Sequence, residues 1–210
     1  MRDVTQFDDL ARTTPTRELF IVEGDSAARA VTRLRDPESQ AVLAMQGKPL
    51  NAHRAALKKV RENHYFNALS ESLGLPPGTQ DVSHRRIETI ILLMDPDADG
   101  IHCSVLMLGF FLRWMPKLLE CHAVHMIRPP LFEITACSHR DEVIYANSEA
   151  QQKRITEAFQ NAGVDHKSRR FRGLAGIPDD VLRETCIDPR TRASEVYSRE
   201  DAEYAISFFK

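Results

Sequence analysis

The fold is decided by the stretch Ile90-Ile91-Leu92-Leu93-Met94-Asp95-Pro96-Asp97-Ala98-Asp99-Gly100. A short apolar run that ends in turn residues predicts a strand buried on both faces. The three alternating carboxylates therefore follow the carboxyl end of a strand, which is where open α/β sheets keep their functional sites. Because three neighbouring carboxylates repel one another, the stretch indicates a hard cation with oxygen ligands, and Mg²⁺ suits it best.

Two other families place aspartates in a similar pattern. A calcium-binding EF-hand loop requires glutamate at its twelfth position, which is Leu106 when counted from Asp95, and it needs a helix where residues 90–94 predict a strand. The EF-hand is therefore excluded. Haloacid-dehalogenase-type phosphatases expect threonine or valine after their Asp-x-Asp, where this chain has Gly100 and Ile101, so this class is disfavoured. A solvated acidic turn without metal stays open as the alternative.

The composition is that of an ordinary soluble globular protein, with 42% hydrophobic residues and a formal net charge of −2. This charge excludes a protein held to DNA by bulk electrostatics alone. The segment Lys167–Arg172 is strongly basic, and we interpret it as a solvated face. No run reaches the ~18 apolar residues of a membrane span. Residues 1–5 lack the apolar core of a signal peptide, so we expect a cytoplasmic location and no membrane partner.

A second strand–acid–helix unit precedes the first one along the chain. Glu18–Val22 predicts a strand that delivers Glu23 at its carboxyl end, and Asp25 or Ser26 is the expected N-cap of a helix at Ala27–Leu34. The continuing alternation of strands and helices predicts an α/β fold with a doubly wound, mostly parallel sheet flanked by helices. The other predicted elements are strands at Gln40–Met45 and Val124–Ile127 and helices at 51–73 and Val105–Leu119.

The character of the sequence changes twice, which predicts a lead-in at 1–16, an α/β domain at 17–137 and a smaller, α-rich C-terminal tail at 138–210. No GxGxxG occurs, and Gly47-Lys48 lacks the flanking residues of a phosphate-binding loop, so the chain carries no nucleotide-binding signature. In the tail we predict a strand at Val143–Ala146 and helices at Glu149–Asn161, Pro178–Thr185 and Arg199–Phe209.

Several short motifs match one known family in their order along the chain. They are Glu23-Gly24-Asp25-Ser26-Ala27, Gly47-Lys48-x-Leu50-Asn51, Asp95-x-Asp97-x-Asp99-Gly100-x-His102, Pro129-Pro130-Leu131-Phe132, Phe171-Arg172-Gly173-Leu174, Leu182-x-Glu184-Thr185 and Asp188-Pro189-x-Thr191-Arg192. Together they resemble the Toprim domain, with its following tail segment, of the B subunit of bacterial type IIA DNA topoisomerases (DNA gyrase and topoisomerase IV). The resemblance covers the chain from about Arg17 onward, and its strength lies in the order of the motifs.

The resemblance implies a metal site. In that family the acids bind Mg²⁺ beside the scissile phosphate. Carried over by position, Glu23 and Asp95 would hold one ion, Asp95 and Asp97 a second, and Asp99 would support the cluster. Two Mg²⁺ ions, for which Mn²⁺ can substitute, stabilise both the attacking and the leaving oxygen of an in-line displacement.

The resemblance also implies catalytic residues and partners. Glu23 would handle the proton of the 3′ hydroxyl, and Lys48 would neutralise phosphate charge. His102 would face DNA or the metal shell, although a histidine bonded to backbone at a helix start explains it equally well. The expected partners are double-stranded DNA, a gyrase A-type subunit that carries the attacking tyrosine, and an ATPase domain or chain.

Some positions depart from the family pattern. Ala28-Arg29 replaces two glycines, Gln46 and Ser104 replace basic residues, and the tail motif lacks an acid within residues 173–177. The pattern suits a fragment or a divergent stand-alone relative. We therefore expect a Mg²⁺-dependent module of a type IIA topoisomerase for DNA cleavage and religation. The alternatives are a non-catalytic DNA- or topoisomerase-binding accessory module and a metal-dependent nuclease or phosphatase that acts alone.

Overall fold

The computed structural model describes residues 17–137 and 142–208. The predicted lead-in at 1–16, the start of the predicted tail at 138–141 and Phe209 lie outside the described residues. The strands are β1 (Glu18–Glu23), β2 (Gln40–Met45), β3 (Thr89–Leu92), β4 (Val124–Met126), β5 (Phe132–Ala136), β6 (Val143–Ala146), β7 (His166–Arg170) and β8 (Glu195–Val196). The α-helices are α1 (Gly24–Leu34), α2 (Leu57–Glu62), α3 (His64–Leu73), α4 (Ala98–Trp114), α5 (Pro116–Glu120), α6 (Glu149–Asn161), α7 (Asp179–Leu182) and α8 (Arg199–Ser207). Of the helices in this described part, none combines the length and the hydrophobicity that a membrane crossing requires.

The main sheet has the strand order β2-β1-β3-β4-β8. Strands β2, β1, β3 and β4 run parallel, and β8 joins β4 antiparallel. Helices cover both faces, so the predicted α/β fold with a mostly parallel sheet is confirmed. The register pairs Ile21 with Leu92 and Glu23 with Met45, which brings the carboxyl ends of β1, β2 and β3 to one edge.

Alternate residues of the central strands face two separate cores. Leu19 and Ile21 of β1 contribute to the core under α3 and α4, where the rings of Phe66 and Phe110 stack at 4.4 Å. Phe20 of β1 points to the other core, which α1 covers. A strand with a core on each face must be apolar at every position, and this explains the uninterrupted apolar run of β1 and β3.

The tail completes the second core. Buried tail residues pack together with β1, β3 and α1; they are Phe171, Leu174, Ile177, Val181, Leu182, Cys186 and Ile187. The tail also contains two strands that the sequence does not predict, β7 and β8. Strands β6 and β7 pair with β5 in a small antiparallel sheet, and β8 extends the main sheet. Strand β7 is polar throughout, so hydrophobic alternation gives no signal for it. The domain division at residue 137 stays a prediction.

The predicted boundaries of three helices are wrong. The helix predicted at 51–73 is interrupted at Asn63, whose side chain accepts a hydrogen bond from the Phe66 N–H (3.1 Å) and caps α3. Helix α4 begins at Ala98 rather than Val105 and ends at Trp114, because Pro116 disfavours helical backbone at the residue before it. Helix α1 begins at Gly24, so the N-cap position belongs to Glu23, and Asp25 and Ser26 lie inside the helix.

Candidate metal centre

The parallel pairing of β1 and β3 brings two acids to the same edge of the main sheet. Leu93, directly after β3, donates its N–H to the Ile21 carbonyl (3.0 Å), so the chains still run side by side where the strands end. Glu23 is the last residue of β1, and Asp95 follows Leu93 by two residues. The acids that are 72 positions apart in the sequence therefore meet because the strands are neighbours in the sheet.

Asp95 is held by a segment of the tail. The Leu174 N–H donates to Asp95 Oδ1 (2.8 Å), and Gly173 lies so close that an added Cβ would stand 2.7 Å from Asp95 Oδ2. A Cβ at Gly100 would meet the Asp95 carbonyl oxygen at 2.0 Å, so that position also requires glycine. Burial raises the pKa of Asp95, the Leu174 N–H counteracts this, and the charge of Asp97 raises the pKa further.

The pKa of Glu23 is raised by its surroundings, which include the three aspartates of the cluster. Burial raises its pKa most, a hydrogen bond from the Cys103 thiol lowers it, and the charges of the three aspartates raise it. Burial and the neighbouring Glu23 raise the pKa of Cys103 to about 12. The thiol therefore stays protonated and donates a hydrogen bond to Glu23. The sequence interpretation missed Cys103, although its position one helical turn after Asp99 places both on one face of α4.

Asp97 and Asp99 each bind a nearby group, a backbone N–H for Asp97 and a lysine for Asp99. Asp97 caps α4, because its Oδ1 accepts the Gly100 N–H (2.8 Å). Asp99 forms an ion pair with Lys48, whose Nζ lies 2.8 Å from Asp99 Oδ1. Hydrogen bonding to Lys48 lowers the pKa of Asp99, and the same contact raises the pKa of Lys48. Both side chains are at least half exposed, so we expect this pair to contribute little to stability.

His102 lies on α4 and lines a different cavity from the acids. That cavity has a volume of about 570 Å³, and Asn51, His53, Arg54 and Arg113 line it as well. Its lining includes none of the four acids, although His102 is near enough to Asp99 to help lower the pKa of that carboxyl. The structure thus brings together Glu23, the aspartates and Lys48, and it places His102 beside basic groups.

The positions that depart from the family pattern have local partners. Arg29 donates to the Ser26 hydroxyl (3.3 Å), and Gln46 donates to Asp25 Oδ1 (2.5 Å). The buried Ser104 hydroxyl donates to the Gly100 carbonyl (2.9 Å), one turn back in α4. None of the hydrogen bonds described for these three side chains engages Glu23 or the three aspartates of the cluster, so the substitutions alter the surroundings of the acids rather than the acids themselves.

The family model described as "Toprim domain" matches residues 18–129, which span β1 to β4 and all four acids. The chain belongs to the Toprim domain family. Among curated proteins it is 36% identical over 175 residues to the B subunit of DNA topoisomerase 4 from Haemophilus influenzae, covering 83% of this chain and 27% of that protein. It is 37% identical over 198 residues to the novobiocin-resistant DNA gyrase B subunit of Streptomyces niveus, covering 92% of this chain and 29% of that protein. The Toprim chain thus spans less than a third of the length of these relatives.

The donor set of this Toprim chain suits a hard divalent cation. Among the described residues, no group of three or more His, Cys, Asp or Glu side chains converges closely enough to enclose an ion. Mg²⁺ does not need such a cage, because one or two carboxylates commonly hold it while water and substrate phosphates complete its octahedron. Glu23 and Asp95 provide carboxylate oxygens, and the raised pKa of each reflects burial together with the charge of neighbouring carboxylates.

Proposed function

We propose that the chain is the Mg²⁺-dependent Toprim module of a type IIA DNA topoisomerase, which supports DNA cleavage and religation together with a tyrosine-bearing A-type subunit. The observation that carries the proposal is that the neighbouring parallel strands β1 and β3 bring Glu23 and the Asp95 turn to the same edge of the sheet. The similarity to the B subunits of gyrase and topoisomerase IV supports the same reaction class.

In this proposal Glu23 and Asp95 hold one Mg²⁺, Asp95 and Asp97 hold the second, and Asp99 supports the cluster. When bound there, Mg²⁺ supplies Lewis-acid stabilisation of negative charge on the phosphate oxygens. Leu174 fixes the orientation of Asp95 through its N–H, which leaves Asp95 Oδ2 as the oxygen without that bond.

The remaining chemistry belongs to side chains of the chain itself. In this proposal Glu23, whose pKa is raised by burial and by the aspartate charges, takes and returns the proton of the 3′ hydroxyl. Lys48 holds Asp99 in the absence of DNA and is exposed enough to contact a phosphate when DNA is bound. His102 contacts DNA on the basic side of α4 rather than the metal.

The test is cleavage of supercoiled plasmid by the chain mixed with the tyrosine-bearing subunit of a type IIA topoisomerase, in Mg²⁺ or Mn²⁺. We expect breaks that carry this A-type subunit covalently attached, and we expect Asp95→Asn to abolish them. Asp165→Asn is the matched control, because Asp165 is exposed and its position is outside the cluster. Absence of cleavage by a chain that still binds DNA or the A-type subunit would contradict the catalytic proposal and support the accessory module.

A further inference from the structure

A cavity of about 490 Å³ opens beside the metal centre, between the acidic turn and the segment that leaves β7. Asp95 and Asp97 line one side of it, and Arg170 and Arg172 line it as well. The basic run that the sequence analysis interprets as a solvated face therefore reaches the acids at its carboxyl end. This juxtaposition is invisible in the sequence, where 77 positions separate Asp95 from Arg172.

The opposite charges that line this cavity do not pair with each other. Arg170 forms its ion pair with Glu149 (3.3 Å) and lies over the ring of Phe132. Arg172 is exposed, and no described residue forms a hydrogen bond or an ion pair with its guanidinium. Asp95 accepts from the Leu174 N–H, and Asp97 accepts from the Gly100 N–H. Cationic and anionic side chains thus share one cavity and leave the space between them open to a ligand.

The backbone around Arg172 is anchored on both sides. Phe171 is buried, and its N–H donates to the Leu131 carbonyl (2.9 Å). On the other side Gly173 touches the Asp95 carboxylate, and Leu174 is buried in the second core. The Arg172 backbone is therefore fixed relative to Asp95, while its long side chain remains adjustable. An exposed charged side chain on a fixed backbone favours capture of an anion at a defined place next to the acids.

We propose that Arg172, with Arg170 beside it, binds a backbone phosphate of duplex DNA next to the metal centre. The identity of the ligand rests on the proposed function, whereas the contact itself requires no metal. The planar guanidinium fork matches two phosphate oxygens, and none of the described side chains occupies the hydrogen-bond donors of Arg172. Arg170 is the weaker contributor because Glu149 already partly neutralises it.

The test is a fluorescence-anisotropy titration of a labelled DNA duplex with the full chain in EDTA, repeated from about 50 to 200 mM salt. We expect Arg172→Ala to weaken binding about tenfold and to reduce the slope of log affinity against log salt by about 1. Arg172→Lys should restore part of the affinity, since it keeps the charge and loses the fork. Arg154→Ala removes the same charge from an exposed position of α6 outside the cavity lining, and it should leave affinity nearly unchanged.

The melting temperature of each variant and its shift on adding Mg²⁺ should match those of the wild type, because Arg172 has no described contact to lose. Equal losses for Arg172→Ala and Arg154→Ala, no loss for either, or a wild-type chain that does not bind the duplex would each overturn the phosphate site. A chain that never cleaves DNA, yet loses affinity selectively in Arg172→Ala, would contradict the proposed function and leave the phosphate site standing.

Discussion

The Arg192 guanidinium in the tail binds the Glu18 carboxylate at the start of β1, although 174 positions separate the two residues. Arg192 Nη1 lies 2.8 Å from Glu18 Oε2, and Nη2 donates to Oε1 of the same carboxylate. Their side chains are 6% and 11% exposed, so the pair is almost entirely removed from water. Gln40 donates to the same carboxylate (2.8 Å), and Arg192 also donates to the Ile187 carbonyl (2.8 Å). This network joins the tail to the first strand of the main sheet.

Removing one partner of this buried pair should strongly destabilise the fold. We expect Arg192→Met to lower the free energy of unfolding by about 3–5 kcal/mol, because Glu18 would be left buried and uncompensated. The measurement is urea denaturation followed by the fluorescence of Trp114, the single tryptophan. The matched control is Arg190→Met, since the Arg190 side chain is 84% exposed and its pair with Asp188 should contribute little to stability. Similar losses in both variants would contradict the role of the buried network.

Mg²⁺ binding tests the contact between Gly173 and Asp95, because the Gly173 backbone (ψ 174°) is by itself strained for alanine and contributes to any loss of stability. Gly173 has φ 71°, and Gly163 has φ 65° with nothing within 4 Å of an added Cβ. Gly163→Ala should therefore cost only the left-handed backbone strain of about 1–2 kcal/mol. Gly173→Ala should cost more and should also weaken Mg²⁺ binding, because the methyl group displaces the Asp95 carboxylate. Urea denaturation measures the stability of both variants, and calorimetric titration measures their affinity for Mg²⁺. Equal stability and equal Mg²⁺ affinity in the two variants would exclude the contact.

Metal binding should weaken on acidification at a higher pH than is usual for carboxylates. The pKa values of Glu23 and Asp95 are both raised, so each takes up its proton earlier as the pH falls, and only the ionised forms bind a cation. Cys103→Ala removes the hydrogen bond that lowers the pKa of Glu23, so it should move the pH midpoint of binding upward. Mn²⁺ titrations from pH 5 to about pH 8 measure the midpoint. An unchanged midpoint in Cys103→Ala would contradict the thiol contact.

The metal-free chain should become more stable when the Asp95 charge is removed. Because the pKa of Asp95 is raised in the folded state, its favourable contribution exists below its unfolded pKa and is lost as the pH rises through the folded pKa. At neutral pH Asp95→Asn should therefore raise the melting temperature in EDTA and abolish the further rise that Mg²⁺ causes in the wild type. Thermal unfolding with and without Mg²⁺ measures both effects. Asp165→Asn should change neither.

Local patterns in the sequence predict the scaffold of the site well. The apolar side chains of β1 and β3 can all be buried only if each strand lies between two cores. Acids that end such strands must lie at the carboxyl edge of a parallel sheet. The same patterns predict helix boundaries less well, because a single residue can end a helix although the hydrophobic periodicity continues beyond it. Asn63 is one example, and its side chain competes for the backbone N–H of Phe66.

The α/β fold, the edge at which Glu23 and Asp95 meet, and the Toprim resemblance can all be inferred from the sequence, because periodicity and motif order are local properties of the chain. Three contacts become visible only in the folded chain: Leu174 binds Asp95, Arg172 shares a cavity with the acids, and Arg192 neutralises Glu18. These contacts join residues more than 70 positions apart. Hydrogen bonds and ion pairs depend on distance in space, and no periodicity in the sequence records that distance.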